Sequence, residues 1–258
     1  MKQRKHQNKG IRLETVTYKS PRILIAIPCM DQGPAKFWTS LVNLRKTADT
    51  HYGVKANSMI YDSRNNFAAH AIMSGYDRVL WLDSDMTFEP DLLERLNADM
   101  DENGLDYVAG IFFKRRMPTG PCIYKDLIYG LKDDGTIRAE AIPYKDYPKD
   151  TLFQCAGTGF GAVLVKTELM KAGWETYGPP FQPMPQMGED LSFCYRVSEL
   201  GRSMWCDSRV KVGHIGEYVF GEQTYLAQTI NPDDNGDGSQ VDAVQGGTDT
   251  SELDGDAD

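Results

Sequence analysis

From residue 22 to residue 113 the chain alternates short apolar, β-branched runs with segments of helical periodicity, and no other feature restricts its fold as much. "RILIAIP" (22–28) is apolar without interruption and ends in Pro28, the pattern of a strand buried on both faces. "AKFWTSLVNLRKT" then places Phe37, Trp38, Leu41 and Leu44 at helical spacing. "SMIYD" reads as a short strand, and "SRNNFAAHAIMSG" as a helix capped by Asp62 or Ser63 and stopped by Gly75. "DRVLWL" is a third strand, "EPDLLERLNADM" a helix with Pro90 in its first turn and Leu92, Leu93 and Leu96 on one side, and "YVAGIFF" a fourth strand. Strands and helices alternating at these lengths imply an α/β fold with a mainly parallel sheet and helices on both faces.

The pattern changes after Lys114. "IYGLKDDGTIRAEAI" has an Asp-Gly turn between two β-like runs, which predicts a β-hairpin insertion. A Gly-rich stretch, "CAGTGFGAVLV", reads as a flexible turn leading into a strand, with close backbone approach to a ligand as the other reading. It lacks the Gly-Lys-Ser/Thr ending of a P-loop and precedes a strand, where a dinucleotide fingerprint precedes a helix. A short helix "KTELMKAG", a loop with Pro179, Pro180, Pro183 and Pro185, and the helix "EDLSFCYRVSELG" follow, then the runs "SMWCD" and "VKVGHIG".

Composition matters once it is located. Of the net charge of −9, all belongs to residues 231–258, which carry eight Asp, one Glu and no Lys or Arg. The rest is neutral, so there is no electrostatic case for nucleic-acid binding beyond a basic arm at 1–21. One domain is expected over 22–230, followed by a tail at 231–258 expected to be disordered. In that tail Asp233, Asn235, Asp237 and Gly238 imitate a calcium loop, but Val244 stands where a bidentate Glu is required. Five cysteines without a CxxC pair give neither a disulfide framework nor a zinc knuckle. "ILIAIPCM" comes too late for a signal peptide and is too short for a membrane span, so a cytoplasmic location is expected.

Four constellations could carry chemistry. Asp83-Ser84-Asp85 ends an apolar strand, where open α/β sheets bind ligands. In an extended segment both carboxylates project to one side and suit Mg²⁺ or Mn²⁺, with phosphate and water completing the shell; the other reading is a polar turn capping the next helix. "SRNN" (63–66) lies at an expected helix start, an anion site to which Arg64 adds phosphate-matching donors, unless that arginine sits in solvent. Glu189 and Asp190 open a helix after a stiff loop, as dipole partners or as a general base. His214, between Gly213 and Gly216, is a structural imidazole or a further ligand for an Mn²⁺-type site.

The order "IPCMD", "SRNN", "DSD", "AGIFFKR", "GTGFG", "GED", "GHIG" resembles that of the GT-A glycosyltransferases, and most of all the family 2-like enzymes often found in bacteriophages and prophages. The resemblance runs from about Arg22 to Tyr218. It implies a GT-A (nucleotide-diphospho-sugar transferase) fold and a metal-dependent transfer of a sugar, of hexosyl type, from a nucleotide-diphosphate donor to an acceptor hydroxyl. It further implies that Asp83 and Asp85 meet the donor ribose and the Mn²⁺ or Mg²⁺ on its pyrophosphate. Arg64 and Asn65 match the family's "ARN", with Ser63 in place of Ala. Asp31 lies where such proteins approach the base, Asp190 with Glu189 provides the catalytic base of inverting members, and His214 is a third metal ligand of some. The acceptor stays open among a glycan, a modified DNA base and a protein. The alternatives are a nucleotidyltransferase on a related sheet, a non-catalytic nucleotide-sugar-binding module, and a metal-dependent hydrolase built on Asp83, Asp85 and His214.

Overall fold

Burial on both faces makes the run at 22–28 a central strand. In the computed structural model, which describes residues 20–30 and 32–229, β1 (Ile23–Pro28) is buried at every position and has a parallel partner on each side, β2 (Thr50–Lys55) and β3 (Arg78–Leu82). Asp31, nearly all of the basic arm and the acidic tail lie outside the described residues. The crossovers are α1 (Ala35–Asn43) and α2 (Ile60–Ser74). Beyond β3 come β4 (Met86–Thr87), α3 (Leu92–Asn103) and β5 (Tyr107–Ile111). The expected hairpin is β6 (Ile123–Leu131) with β7 (Ile137–Pro143), turned by Gly135 at φ +79° and by Asp134, whose carboxylate accepts from Thr136. β8 (Leu152–Cys155), β9 (Gly157–Thr158), β10 (Ala162–Lys166), α4 (Thr167–Tyr177) and α5 (Glu189–Glu199) follow. The described chain closes with β11 (Met204–Lys211), β12 (Gly213–Ile215), β13 (Val219–Phe220) and α6 (Glu222–Thr229).

Seven strands form the main sheet in the order β2-β1-β3-β10-β5-β11-β8. The pairs within β2-β1-β3 and the β5-β11 pair are parallel; β10 and β8 run against their neighbours. The period of two along β3 divides the core. Val79 and Trp81 face a layer containing Phe67, Ala71, Leu169, Phe193 and Val197 of α2, α4 and α5. Leu80 and Leu82 face a layer containing Phe37, Leu41, Leu92, Leu93 and Leu96 of α1 and α3. The expected mainly parallel sheet with helices on both faces is therefore the one observed.

Three local expectations are corrected. "SMIYD" is not a strand: Ile60, Tyr61 and Asp62 form the first turn of α2, Met59 stands at its cap, and the strand is "THYGVK", eight residues earlier. β2 is an edge strand with Tyr52 and Val54 exposed, so no continuous apolar run marks it. Pro90 lies in the turn before α3 rather than in its first helical turn, because Asp91 holds the cap position. The Gly-rich stretch is not a flexible turn. A Cβ on Gly159 would lie 2.8 Å from Phe112, and one on Gly161 2.6 Å from the Met86 methyl, so these glycines allow close packing. α6 had no counterpart in the sequence reading.

Candidate active site

The carboxyl end of β3 meets the amino end of the antiparallel β10 where the Asp83 amide donates to the Gly161 carbonyl at 3.1 Å. There β3 stops in a tight turn: Met86 N–H donates to Asp83 O at 3.2 Å, so Asp83-Ser84-Asp85 is a turn and not the extended segment expected. Neither aspartate caps α3, which begins beyond β4. The turn aims the two carboxylates at different partners.

Asp83 faces α2. Its Oδ1 accepts from Arg64 Nη2 at 2.8 Å, and Arg64 Nε reaches Glu189 Oε1 at 3.4 Å. Because α2 starts earlier than expected, Ser63–Asn66 lies within the helix and Ser63 N–H is already spent on Met59 O, so these residues offer no free N-terminal amides. Arg64 is 2% exposed, with its guanidinium 5.2 Å from the centre of the Phe160 ring. It is a buried cation tying together acids 106 positions apart in sequence, and its Nη1 is left without a hydrogen-bond partner among the described residues. Burial works against the charge on Arg64, yet Asp83, Glu189 and Asp190 together raise its pKa further. Asp83 is shifted the other way for an acid: burial, with Asp85 and Glu189 adding, outweighs Arg64 and raises its pKa.

Asn65, expected at the nucleotide, uses its Oδ1 to accept from Phe181 N–H at 2.8 Å. That bond fastens α2 to the proline-rich loop. The loop is also anchored by the Phe181 ring, stacked on Phe193 at 4.6 Å and set edge-on against Trp81 at 4.9 Å. The loop thus delivers α5 with Glu189 and Asp190 in its first turn, as expected. Asp190 Oδ1 accepts from Leu191 N–H at 2.7 Å. Burial, reinforced by Glu189, pushes its carboxyl up to about 6.

Asp85 faces β12. Antiparallel pairing sets His214 opposite Met86 and Gly213 opposite Thr87, and Ile215 N–H donates to Asp85 O at 2.7 Å. His214 Nδ1 lies 2.9 Å from Phe113 O; a carbonyl only accepts, so a neutral ring carries its proton on Nδ1. The lone pair on Nε2 then points at Asp85 Oδ2, 3.3 Å away. Two acceptors at that separation call for a positive charge beside them, a donor set that fits a divalent cation. Arg115 Nη1 now supplies such a charge to Asp85 Oδ2 at 2.8 Å. Burial alone would raise the Asp85 pKa; a His214 ring protonated on both nitrogens, with Arg115 adding, reverses this and lowers it.

The structure therefore joins Asp83 with Arg64 and Glu189, and Asp85 with His214, on the two sides of one turn at the end of β3. Among the described residues no three His, Cys, Asp or Glu side chains are grouped closely enough to hold a metal ion unaided. Arg115 was assigned no role; in the sequence it closes the segment "AGIFFKR" and stands in the run "KRR" directly behind a core strand.

Residues 54–170 match the family model described as Glycosyl transferase family 2, a span under half the chain that includes Arg64, Asn65, Asp83 and Asp85 and stops short of Glu189, Asp190 and His214. The crystal structure of A197 from STIV is similar at 20% identity with a TM-score of 0.55, over 76% of this chain and 86% of that one. The crystal structure of GalNAc-T7 with UDP, GalNAc and Mn²⁺ is similar at 10% identity with a TM-score of 0.50, over 80% of this chain and 47% of the other, about half its length. No curated protein matches. The fold is the GT-A arrangement, with its central, mainly parallel sheet.

Proposed function

We propose that the protein is a glycosyltransferase that moves a sugar from a nucleoside diphosphate to an acceptor hydroxyl with the help of Mn²⁺ or Mg²⁺. The observation that carries this reading is the facing pair of acceptors, Asp85 Oδ2 and His214 Nε2, at the strand end that also presents Asp83, with Asp190 brought near by α5. The match to glycosyl transferase family 2 and the fold shared with GalNAc-T7, whose structure holds UDP, GalNAc and Mn²⁺, support it.

Asp85 and His214 would hold the cation, with donor phosphate oxygens and water filling its remaining positions. When bound, the ion supplies Lewis-acid charge to the departing diphosphate. Asp83, fixed by Arg64, would meet the donor ribose from the other side of the turn, the role that the family resemblance implies for it. In the reaction the bond from the anomeric carbon to the phosphate oxygen breaks and its electron pair leaves with the diphosphate. The acceptor oxygen bonds to that carbon as its proton passes to Asp190. A carboxylate with a pKa near 6 is ionised at neutral pH and more basic than an ordinary one. Glu189 keeps Arg64 in place and adds negative charge beside the base.

Chromatography of the nucleotide products tests this reading. With a panel of nucleotide sugars, one donor should yield its nucleoside diphosphate faster when the acceptor is present. Asp190→Asn should cut that turnover by roughly 10²–10⁴-fold and leave nucleotide binding intact. A variant as active as the parent would remove Asp190 from the chemistry, and release of pyrophosphate in place of a nucleoside diphosphate would identify a nucleotidyltransferase.

A further inference from the structure

Arg115 stands out because its partner is a residue the proposed function needs for something else. Its guanidinium is bonded to Asp85 Oδ2, the oxygen that His214 Nε2 also faces, while the side chain itself is 57% exposed. Asp85 is its one ion-pair partner among the described residues. The segment around it is short and held at both ends. Phe113 is buried and stacked on Tyr225 of α6, and Thr119 is buried and bonded through both backbone N–H and C=O to the Gln228 side chain. Between these anchors residues 115–118 are exposed. Lys114 and Arg116, on either side, have no ion-pair partner among the described residues. Both lie within electrostatic reach of the Cys122 thiol, as do Asp190 and Asp83, so the basic segment lies near the same acids.

We propose that Arg115 is a resident cation of the Asp85 position: it neutralises Asp85 while the cleft is empty, gives way to the divalent ion, and turns its guanidinium to the donor diphosphate. This inference builds on the reading of the site as a cation-assisted nucleotide-sugar site. The chemistry favours an exchange. A half-buried carboxylate such as Asp85 facing an imidazole lone pair is costly without a positive neighbour. An arginine on an exposed tether supplies that charge and can leave with little packing lost, and its planar fork matches phosphate oxygens as well as a carboxylate. Arg115 and the metal thus compete for Asp85 when no donor is present and cooperate once a diphosphate accepts the displaced guanidinium.

Titration with Mn²⁺ alone, followed by the electron paramagnetic resonance of the free ion, tests the competition in the full-length parent, Arg115→Ala and Arg115→Lys. Arg115→Ala should bind Mn²⁺ roughly five- to tenfold more tightly than the parent, with Arg115→Lys between them. Inorganic pyrophosphate, titrated with the Mn²⁺ site saturated, should bind Arg115→Ala about tenfold more weakly than the parent. Equal or weaker Mn²⁺ binding by Arg115→Ala, or unchanged pyrophosphate affinity, overturns the proposal. If the parent still transfers sugar in a Mn²⁺-dependent way in that case, the function stands and Arg115 alone is misassigned. If none of the three proteins takes Mn²⁺ even with pyrophosphate present, the cation site falls and the proposal falls with it.

Discussion

At the scale of single residues, Asp190 shows how the fold sets chemistry at a cost in stability. Burial and the neighbouring Glu189 lift its carboxyl from the ordinary 3.8 to about 6. A raised acid pKa means that the folded state holds its proton more tightly than the unfolded chain. The contribution is therefore fully favourable below about pH 4 and is lost as pH rises through about 6. Asp190→Asn removes the charge, so urea denaturation should find this variant about 1–3 kcal/mol more stable than the parent near pH 7 and equal to it near pH 4. Over the same range the parent's kcat should rise with an acid limb near pH 6, since the base works only when ionised. A variant no more stable than the parent at neutral pH would show that the carboxyl is not strained by its surroundings. Arg64 lies at the same scale. "SRNN" made the arginine look like a phosphate ligand, but the helix register turns it inward, onto Asp83 and Glu189. Register was not legible because Met59 caps α2 without a side-chain bond, and nothing in the local sequence marks that start.

Secondary-structure elements carry the second half of the site. β12 brings His214 to Asp85 by slotting between β4 and β13, and Gly213 makes the slot narrow enough. A Cβ there would lie 2.4 Å from Thr87 Oγ1 and 2.5 Å from Val219 Cγ1, one from each flanking strand, so neither side can yield freely. Gly213→Ala should cost about 1–3 kcal/mol in chemical denaturation and weaken Mn²⁺-dependent nucleotide binding, because His214 moves with the strand. Gly130→Ala, in the hairpin with nothing within 4 Å of the new carbon, should change neither by more than about 0.5 kcal/mol. Equal effects of the two substitutions would show that β12 tolerates displacement. The strands buried on both faces were legible as continuous apolar runs, and the hairpin by its Asp-Gly turn. β2 was not, because an edge strand with an exposed face needs no such run. The glycines of "GTGFG" announced themselves without their purpose, since the side chains they make room for, Phe112 and Met86, come from other parts of the chain.

The molecule as a whole joins what the sequence keeps apart. Asp85 and His214 are 129 positions apart, Arg64 and Glu189 are 125 apart, and Arg115 meets Asp85 across 30. Order along the chain pointed to these residues, Arg115 excepted, as members of one site; which of them touch depends on strand pairing and helix register, which local periodicity does not encode. Among the described residues no helix is long and apolar enough to cross a membrane, and the charge outside residues 231–258 balances. On the proposed function, recognition of an anionic donor would fall to local groups, Arg115 with its neighbours and a cation at Asp85 and His214, in place of a general positive field. Isothermal titration of the parent and of Asp85→Ala with a panel of nucleoside diphosphates, with Mn²⁺ and then with the ion chelated, tests this most directly. The account predicts that one nucleotide binds saturably to the parent with Mn²⁺ and at least about tenfold more weakly after chelation or in Asp85→Ala. Absence of binding by every nucleotide in the panel, or binding indifferent to both Mn²⁺ and Asp85, would contradict it.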